Sequence, residues 1–253
     1  CSIKETVLFE EDFWSSGTIG RPVIIILQKT GDALVRIENH ITTNLCTSPE
    51  ELKSSKFAKT FSYSQSYFEG TKHNRFRLFF DTFSKTLVQK IEAKSIPAKE
   101  IVSIHTGVRS KIGQKNVIEK KPTGETWCKG LVSGAEINRY LIDYKGNYIN
   151  IAPELLFSGG WDKQIISQQK LLMRQTGDSL IAAFDDNGYY HLNNLHSVVI
   201  EDHRYNIKYI LAILNSKLMN HYYHLISLEL GRAMAQTDIE TIEQLPIRPV
   251  DFD

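Results

Sequence analysis

Gly130-Leu131-Val132-Ser133-Gly134-Ala135-Glu136-Ile137-Asn138-Arg139-Tyr140 holds no helical period, and its two glycines break it into short extended pieces. The same texture extends upstream. Residues 100 to 150 read as short strands and turns, beginning at Glu100-Ile101-Val102-Ser103-Ile104 and punctuated by Gly107, Gly113, Gly124, Gly130, Gly134 and Gly146. Downstream, Leu180 to Phe184, Asp185-Asp186-Asn187-Gly188 and Tyr189-Tyr190-His191-Leu192 predict a hairpin, because Asn-Gly supplies the positive φ angles of a tight turn. Ile207, Ile210, Leu211, Leu214, Leu218, Tyr222 and Leu225 then recur at helical spacing and predict one long helix. Short strands with a few helices make the expected fold class mixed α/β (α+β).

Toward the N-terminus the pattern changes. Pro22-Val23-Ile24-Ile25-Ile26-Leu27 is the continuous β-branched run of a buried central strand, and Ala33-Leu34-Val35-Arg36-Ile37 is spaced to pair with it as a hairpin. Phe83, Leu87, Val88 and Ile91 fall on one helical face, and Pro97 stops that pattern.

The chain has 253 residues with 30 Lys and Arg against 29 Asp and Glu, an ordinary globular balance that rules out disorder, collagen-like repeats and rods. No apolar run approaches the roughly 20 residues of a membrane span. Cys1-Ser2-Ile3-Lys4-Glu5 has no signal-peptide layout and no initiator Met, which predicts a cytoplasmic chain that begins within a longer gene product. Cys1, Cys46 and Cys128 form no C-x-x-C, so reduced thiols are expected.

The near-zero charge is unevenly spread. Residues 53 to 130 hold 16 basic and 6 acidic side chains, whereas residues 1 to 52 hold 4 and 8, and residues 131 to 253 hold 10 and 15. Within the basic third, Lys53, Lys56, Lys59, Arg75 and Arg77 are interleaved with Phe57, Phe61, Tyr63, Tyr67 and Phe76. Basic groups release counterions from a polyanion and aromatics stack on bases, so a polyanion partner is one reading and a solvated lysine-rich face the other.

Most catalytic chemistry is absent from the sequence. The 15 glycines include no G-x-G, which excludes dinucleotide and P-loop turns. Among eight histidines there is no H-E-x-x-H; His221 and His224 share a helix face without a third ligand, and surface or core-edge positions are expected. Asp81 with Glu92-Ala93-Lys94 has a nuclease-like layout, yet the last three lie on a helix where exposed charge needs no special cause. Cys1 as a processed nucleophile is a minor reading, and Asp185 and Asp186 read as turn residues.

Six strings follow one another in order: Val102 to Val108 (VSIHTGV), Gly130 to Tyr140 (GLVSGAEINRY), Gln169 to Arg174 (QKLLMR), Tyr189 to Asn194 (YYHLNN), Tyr209 to Leu218 (YILAILNSKL) and Ile242 to Ile247 (IEQLPI). Together they resemble the C-terminal specificity domain of TaqI-like adenine-specific DNA methyltransferases of type II restriction-modification systems, and the target-recognition domains of type I specificity subunits share the run. The resemblance covers about residues 100 to 250. Phe9-Glu10-Glu11-Asp12-Phe13-Trp14 leading into Pro22 to Lys29 looks like the last strands of that family's catalytic sheet.

The resemblance implies a division into residues 1–52 as the end of a catalytic domain, 53–99 as a basic connecting region and 100–253 as the target-recognition domain. It implies double-stranded DNA and the upstream catalytic domain as partners, with an adenine flipped out of the stack. The family's Asn/Asp-Pro-Pro-aromatic motif is not among the seven unpaired prolines, so this chain alone is expected not to methylate and to hold no cofactor. S-adenosylmethionine would serve the longer parent. The alternatives are a type I specificity subunit and a stand-alone nuclease. The expected DNA-facing residues are Arg109, Lys111, Gln114, Lys115 and Asn116 in a basic, Gly-punctuated stretch whose other reading is a mobile polar loop, Arg139 and Tyr140 after the Gly134 turn, Lys170 and Arg174, at i, i+4 spacing if helical or on one face if extended, and Arg75 with Arg77 flanking Phe76. For Tyr140 a core position is equally open. Asn215-Ser216-Lys217 reads as scaffold.

Overall fold

The computed structural model describes residues 1–10, 22–69, 81–157, 166, 168–227 and 235–250. The chain divides into two compact units, Cys1–Leu87 and Val88–Asp253, with the division inside a helix.

The first unit is built on a four-stranded sheet of β1 (Ser2–Phe9), β2 (Val23–Gln28), β3 (His40–Cys46) and β4 (Lys59–Ser64), in the order β2-β1-β3-β4. β1 and β3 run parallel and the outer pairs antiparallel. Between the strands lie α1 (Ala33–Ile37) and α2 (Pro49–Ser54), followed by α3 (Gln65–Glu69) and α4 (Thr82–Glu92). α2 starts where Ser48 accepts the Glu51 N–H at 3.3 Å with Pro49 at its first position. Val7, Phe9 and Cys46 form one small core, and Ile41, Tyr63 and Phe68 a second. β4 thus places Tyr63, from the basic third, in the sheet.

Two expectations fail here. Residues 33–37 form a helix capped by Asp32, so they do not pair with β2, whose partner is β1. Nor is β2 buried: it is the sheet's edge, and Val23, Ile24, Ile25, Ile26 and Leu27 are 40–57% exposed. The nuclease-like layout dissolves as well. Asp81 accepts the Ser84 N–H at 2.6 Å and its hydroxyl at 2.8 Å, the job of a helix cap, and these bonds hold its carboxyl below the usual carboxylate range. The expected helix over 83–94 is α4.

The second unit opens with β5 (Ile96–Pro97), β6 (Val102–Thr106), β7 (Ile118–Glu119), β8 (Trp127–Leu131), β9 (Ile137–Asn138), β10 (Leu141–Ile142) and β11 (Tyr148–Asn150). It continues with β12 (Lys170–Arg174), β13 (Ala182–Asp185), β14 (Tyr190–His191), β15 (Leu195–Ile200), α5 (Ile207–Asn215), α6 (Lys217–Ser227), α7 (Ile239–Glu243) and β16 (Pro246–Ile247). One antiparallel sheet has the order β13-β12-β15-β6; the other, β14-β8-β11-β7, is parallel only between β14 and β8. β16 pairs with β5 and so ties the end of the unit to its beginning.

The core of this unit includes two clusters of buried side chains. Leu131, Ile137, Leu172, Ala183 and Leu195 form its main cluster, Val108, Ile149, Leu156 and Leu192 a second. α5 lays Ile210, Leu211 and Leu214 over β12 and β13. Full burial of each such side chain stabilises by about 1.5–3 kcal/mol.

The predicted long helix is two helices. Ser216 takes an extended backbone (ψ 149°) and its hydroxyl accepts the Met219 N–H at 3.0 Å, capping α6. The predicted hairpin over 180–192 also resolves differently. Its turn forms, with Gly188 at φ +70° and Asp185 accepting the Asn187 and Tyr189 N–H groups, but β13 pairs with β12 while β14 joins β8 in the other sheet.

Candidate nucleic-acid interface

Residues 109–116 leave β6 through a close approach at Gly107, where an added Cβ would lie 2.2 Å from the Leu192 carbonyl oxygen and 2.4 Å from His191 Nδ1. Val108 then bonds both His191 and Asn193, and Ser110 bridges to Leu156. Phe157 N–H donates to the Arg109 carbonyl and Lys111 N–H to that of Leu155, which fixes the base of the loop on both sides. The cationic ends stay outside. Arg109, Lys111 and Lys115 are exposed, with the Arg109 guanidinium 5.7 Å from the Phe157 ring. The amides do other work. Gln114 is half-buried and donates to Asn193 Oδ1 at 2.6 Å, while Asn116 donates to the Ile112 carbonyl and stays exposed. The expected polar stretch is present, with its cations and Asn116 facing solvent.

The string 130–140 folds into a second surface element. Ser133 and Glu136 form a capping box: the Ser133 hydroxyl accepts the Ala135 N–H, while Glu136 Oε2 accepts the N–H groups of Val132 (2.7 Å) and Ser133 (2.9 Å). Glu136 is 3% exposed, and its other oxygen takes bonds from Lys145 and Asn147. From this anchor β9 and β10 form a tight hairpin, Asn138 opposite Leu141, with Arg139 and Tyr140 as its two-residue turn. Tyr140 is outside the core at 57% exposure, and Arg139 is exposed beside it.

β12 settles the remaining pair. Lys170 is fully buried, its Nζ 2.6 Å from Asp185 Oδ2 and 3.1 Å from the Ile166 carbonyl oxygen, so it cannot meet DNA at the surface. Asp185, read as a turn residue, is therefore also half of a core ion pair. Arg174 braces the hairpin by donating from Nε to the Ile137 carbonyl (2.7 Å) and from its terminal nitrogen to Asn138 Oδ1 (3.4 Å). Arg75 and Arg77 lie outside the described residues.

Sequence reasoning missed the residues joining the two surface elements. Asn193 holds Gln114 of the loop, and Asn194 donates to the Val132 carbonyl at 2.8 Å beneath the hairpin. His191 and His196, expected at the surface or core edge, are both 1% exposed. His191 Nδ1 donates to the Leu192 carbonyl, so Nε2 accepts from the Ser197 hydroxyl; burial pushes its pKa down to about 4. His196 donates to the Thr237 carbonyl at 2.9 Å and is likewise pushed down by burial. Asn215, as expected, is scaffold: its amide bonds both the N–H and the carbonyl of Ala182. Among the described residues no cluster of three or more His, Cys, Asp or Glu is placed to hold a metal, and no helix is long and apolar enough to cross a membrane.

The second unit is thus a mixed α/β domain that presents a basic loop and a braced hairpin from a buried core. Residues 129–247 match the family model described as the TaqI-like C-terminal specificity domain, the family its strings resemble. The hairpin, β12, the Asn193-Asn194 pair and the helices lie inside the match; the loop at 109–116 lies outside it. No curated protein matches the chain. Among solved structures it is similar to the HsdS subunit from Thermoanaerobacter tengcongensis at 14% identity and a TM-score of 0.37, over 66% of this chain and 40% of that one. The chain therefore spans two fifths of that subunit's length.

Proposed function

We propose that the second unit binds double-stranded DNA and reads its sequence as the recognition part of an adenine-specific methyltransferase of a restriction-modification system. The family match over 129–247 carries this reading. The exposed cations Arg109, Lys111, Lys115 and Arg139 support it, because phosphate contacts set the register of a protein on a duplex while a few side chains read base edges. In this reading the recognition unit grips the duplex and offsets the few kcal/mol needed to flip an adenine toward an upstream catalytic domain.

The first unit would be the closing part of that catalytic sheet. Its support is the exposed apolar edge of β2 and the apolar side chains of α1, Leu34, Val35 and Ile37, surfaces of the kind a larger sheet covers. Two features count against S-adenosylmethionine at the described residues. No G-x-G turn is present, and the cavity of about 370 Å³ at Gln168, His203, Tyr205 and Asn206 has no carboxylate among its lining residues to hold a ribose. The cofactor would serve the parent through other residues.

The test is fluorescence-anisotropy binding to a pool of random-sequence duplexes over a salt series. Micromolar or tighter binding that weakens steeply with salt is expected, and each of Arg109→Ala and Lys111→Ala should flatten the salt slope by about 1. Absence of binding at low salt would overturn the DNA reading.

A further inference from the structure

The turn of the β9–β10 hairpin carries a backbone conformation that its sequence does not favour. Of its two central residues only Tyr140 has a positive φ, at +69°, the place where glycine or asparagine is usual. An aromatic residue held there is strained, and strain of this kind persists only where the surroundings over-determine it. They do so here. Tyr140 N–H donates to the Ala182 carbonyl at 3.0 Å, Arg174 holds Ile137 and Asn138, and the Glu136 capping box fixes the entry to the hairpin.

What the strain achieves is presentation. Ile137 and Ile142 pair across the hairpin and pack into the main core cluster, so their strand neighbours Asn138 and Leu141 point to the opposite face. Leu141 is 60% exposed, next to Tyr140, so the tip shows two large apolar side chains side by side with Asn138 and Arg139. None of the described contacts gives an exposed Tyr-Leu pair on this braced turn a part in folding. The residue types are those of base readout: an amide suited to adenine, a guanidinium suited to guanine, an aliphatic group for a thymine methyl, and a ring that can pack on a base.

We infer that the 138–141 hairpin tip is a rigid reading head that enters a groove of the duplex, where Asn138, Arg139 and Leu141 meet base edges and the Tyr140 ring wedges against a base step, a contact that depends on how readily that step deforms. This rests on the DNA-recognition reading above and adds a division of labour to it: loop 109–116 tracks phosphates, and the hairpin reads sequence. Asn138 and Leu141 join Arg139 and Tyr140 in that role, and Arg174 is a positioning residue that acts through Asn138.

The experiment selects a preferred site from random duplexes with the full 253-residue chain, then compares Tyr140→Gly and Tyr140→Phe on selected and random duplexes. Glycine removes the ring but is at ease at φ +69°, so the variant should melt no lower than the wild type. Its preference for the selected site over random duplex should fall about 10- to 100-fold, the worth of one misread base pair, while Tyr140→Phe retains it. A Tyr140→Gly protein that keeps its preference overturns the hairpin assignment, as does a wild type that binds DNA without selecting any site. A wild type that binds no duplex overturns the DNA reading beneath it.

Discussion

Strands β2 and β15 are written in nearly the same alphabet and end in opposite environments. Val-Ile-Ile-Ile-Leu-Gln has every residue exposed at the edge of its sheet, while Leu195 to Val199 of β15 are all buried between β12 and β6. A β-branched run therefore specifies an extended chain, and its neighbours specify burial. In the second unit the neighbours include polar partners: β15 itself buries His196 and Ser197, each satisfied by Thr106 and Thr237 or by His191. Among its described residues the first unit shows two small clusters, and its most apolar strand is exposed.

That contrast breaks most sharply at the Lys170–Asp185 pair. Asp185→Ala leaves a buried ammonium alone and should cost about 3–5 kcal/mol in urea unfolding, while Lys170→Met with Asp185→Leu should recover only part of it, because the Asn187 and Tyr189 N–H groups lose their acceptor. A mild effect of the single substitution would mean that water reaches Lys170. The buried histidines give the next largest effect. His191 titrates near 4 when folded and near 6.5 when unfolded, so between those values the unfolded chain binds more protons and stability rises with pH. The contribution is fully present above about pH 6.5 and lost as pH falls toward 4, on the order of 3 kcal/mol, with His196 adding in the same direction. Chemical denaturation from pH 7.5 to 4.5 measures it, and His191→Gln should flatten the profile.

Ser133→Ala removes one arm of the capping box and should cost about 1 kcal/mol, read as a shift of the urea midpoint. Smallest of all is Ile25→Lys, within about 0.5 kcal/mol on stability because the side chain is already in water. Its readout is light scattering of concentrated protein, which should fall as a charged edge stops strands from pairing. A loss of several kcal/mol there would show that β2 is covered in solution.

How much the sequence disclosed follows range of contact. α4 was legible from Phe83, Leu87, Val88 and Ile91 because that pattern is local, whereas the spacing of Lys170 and Arg174 fitted a helix as well as the strand β12 that they form. The break at Ser216 was hidden since the apolar period runs on in phase across it; only the serine, as a cap, signalled it. Lys170 looked like a surface cation because its partner is 15 residues away on another strand, and no local pattern announces a buried ion pair. At the candidate interface, Arg109, Lys111, Lys115, Arg139 and Tyr140 were found by residue type and face solvent as expected. Of the two amides, Gln114 is half-buried on Asn193, while Asn116 stays exposed with its amide donating to the Ile112 carbonyl. Asn138 and Leu141 were missed because only the register of a four-residue ribbon shows which way they face.

The Asn193-Asn194 pair has a bearing on any attempt to transplant recognition between proteins. One side chain is fastened to the 109–116 loop and the next to the peptide under the 138–141 turn. The two surface pieces are thus not independent cassettes: a grafted loop needs an amide or equivalent at position 114, or it loosens the dipeptide on which the turn also rests. The clean seams lie where side chains pack inward, at the buried Val108 and Val117 for the loop and at the buried Ile137 and half-buried Ile142 for the turn. An exchange cut at those four points and carrying Asn193 and Asn194 with it would move the reading surface as one interchangeable part.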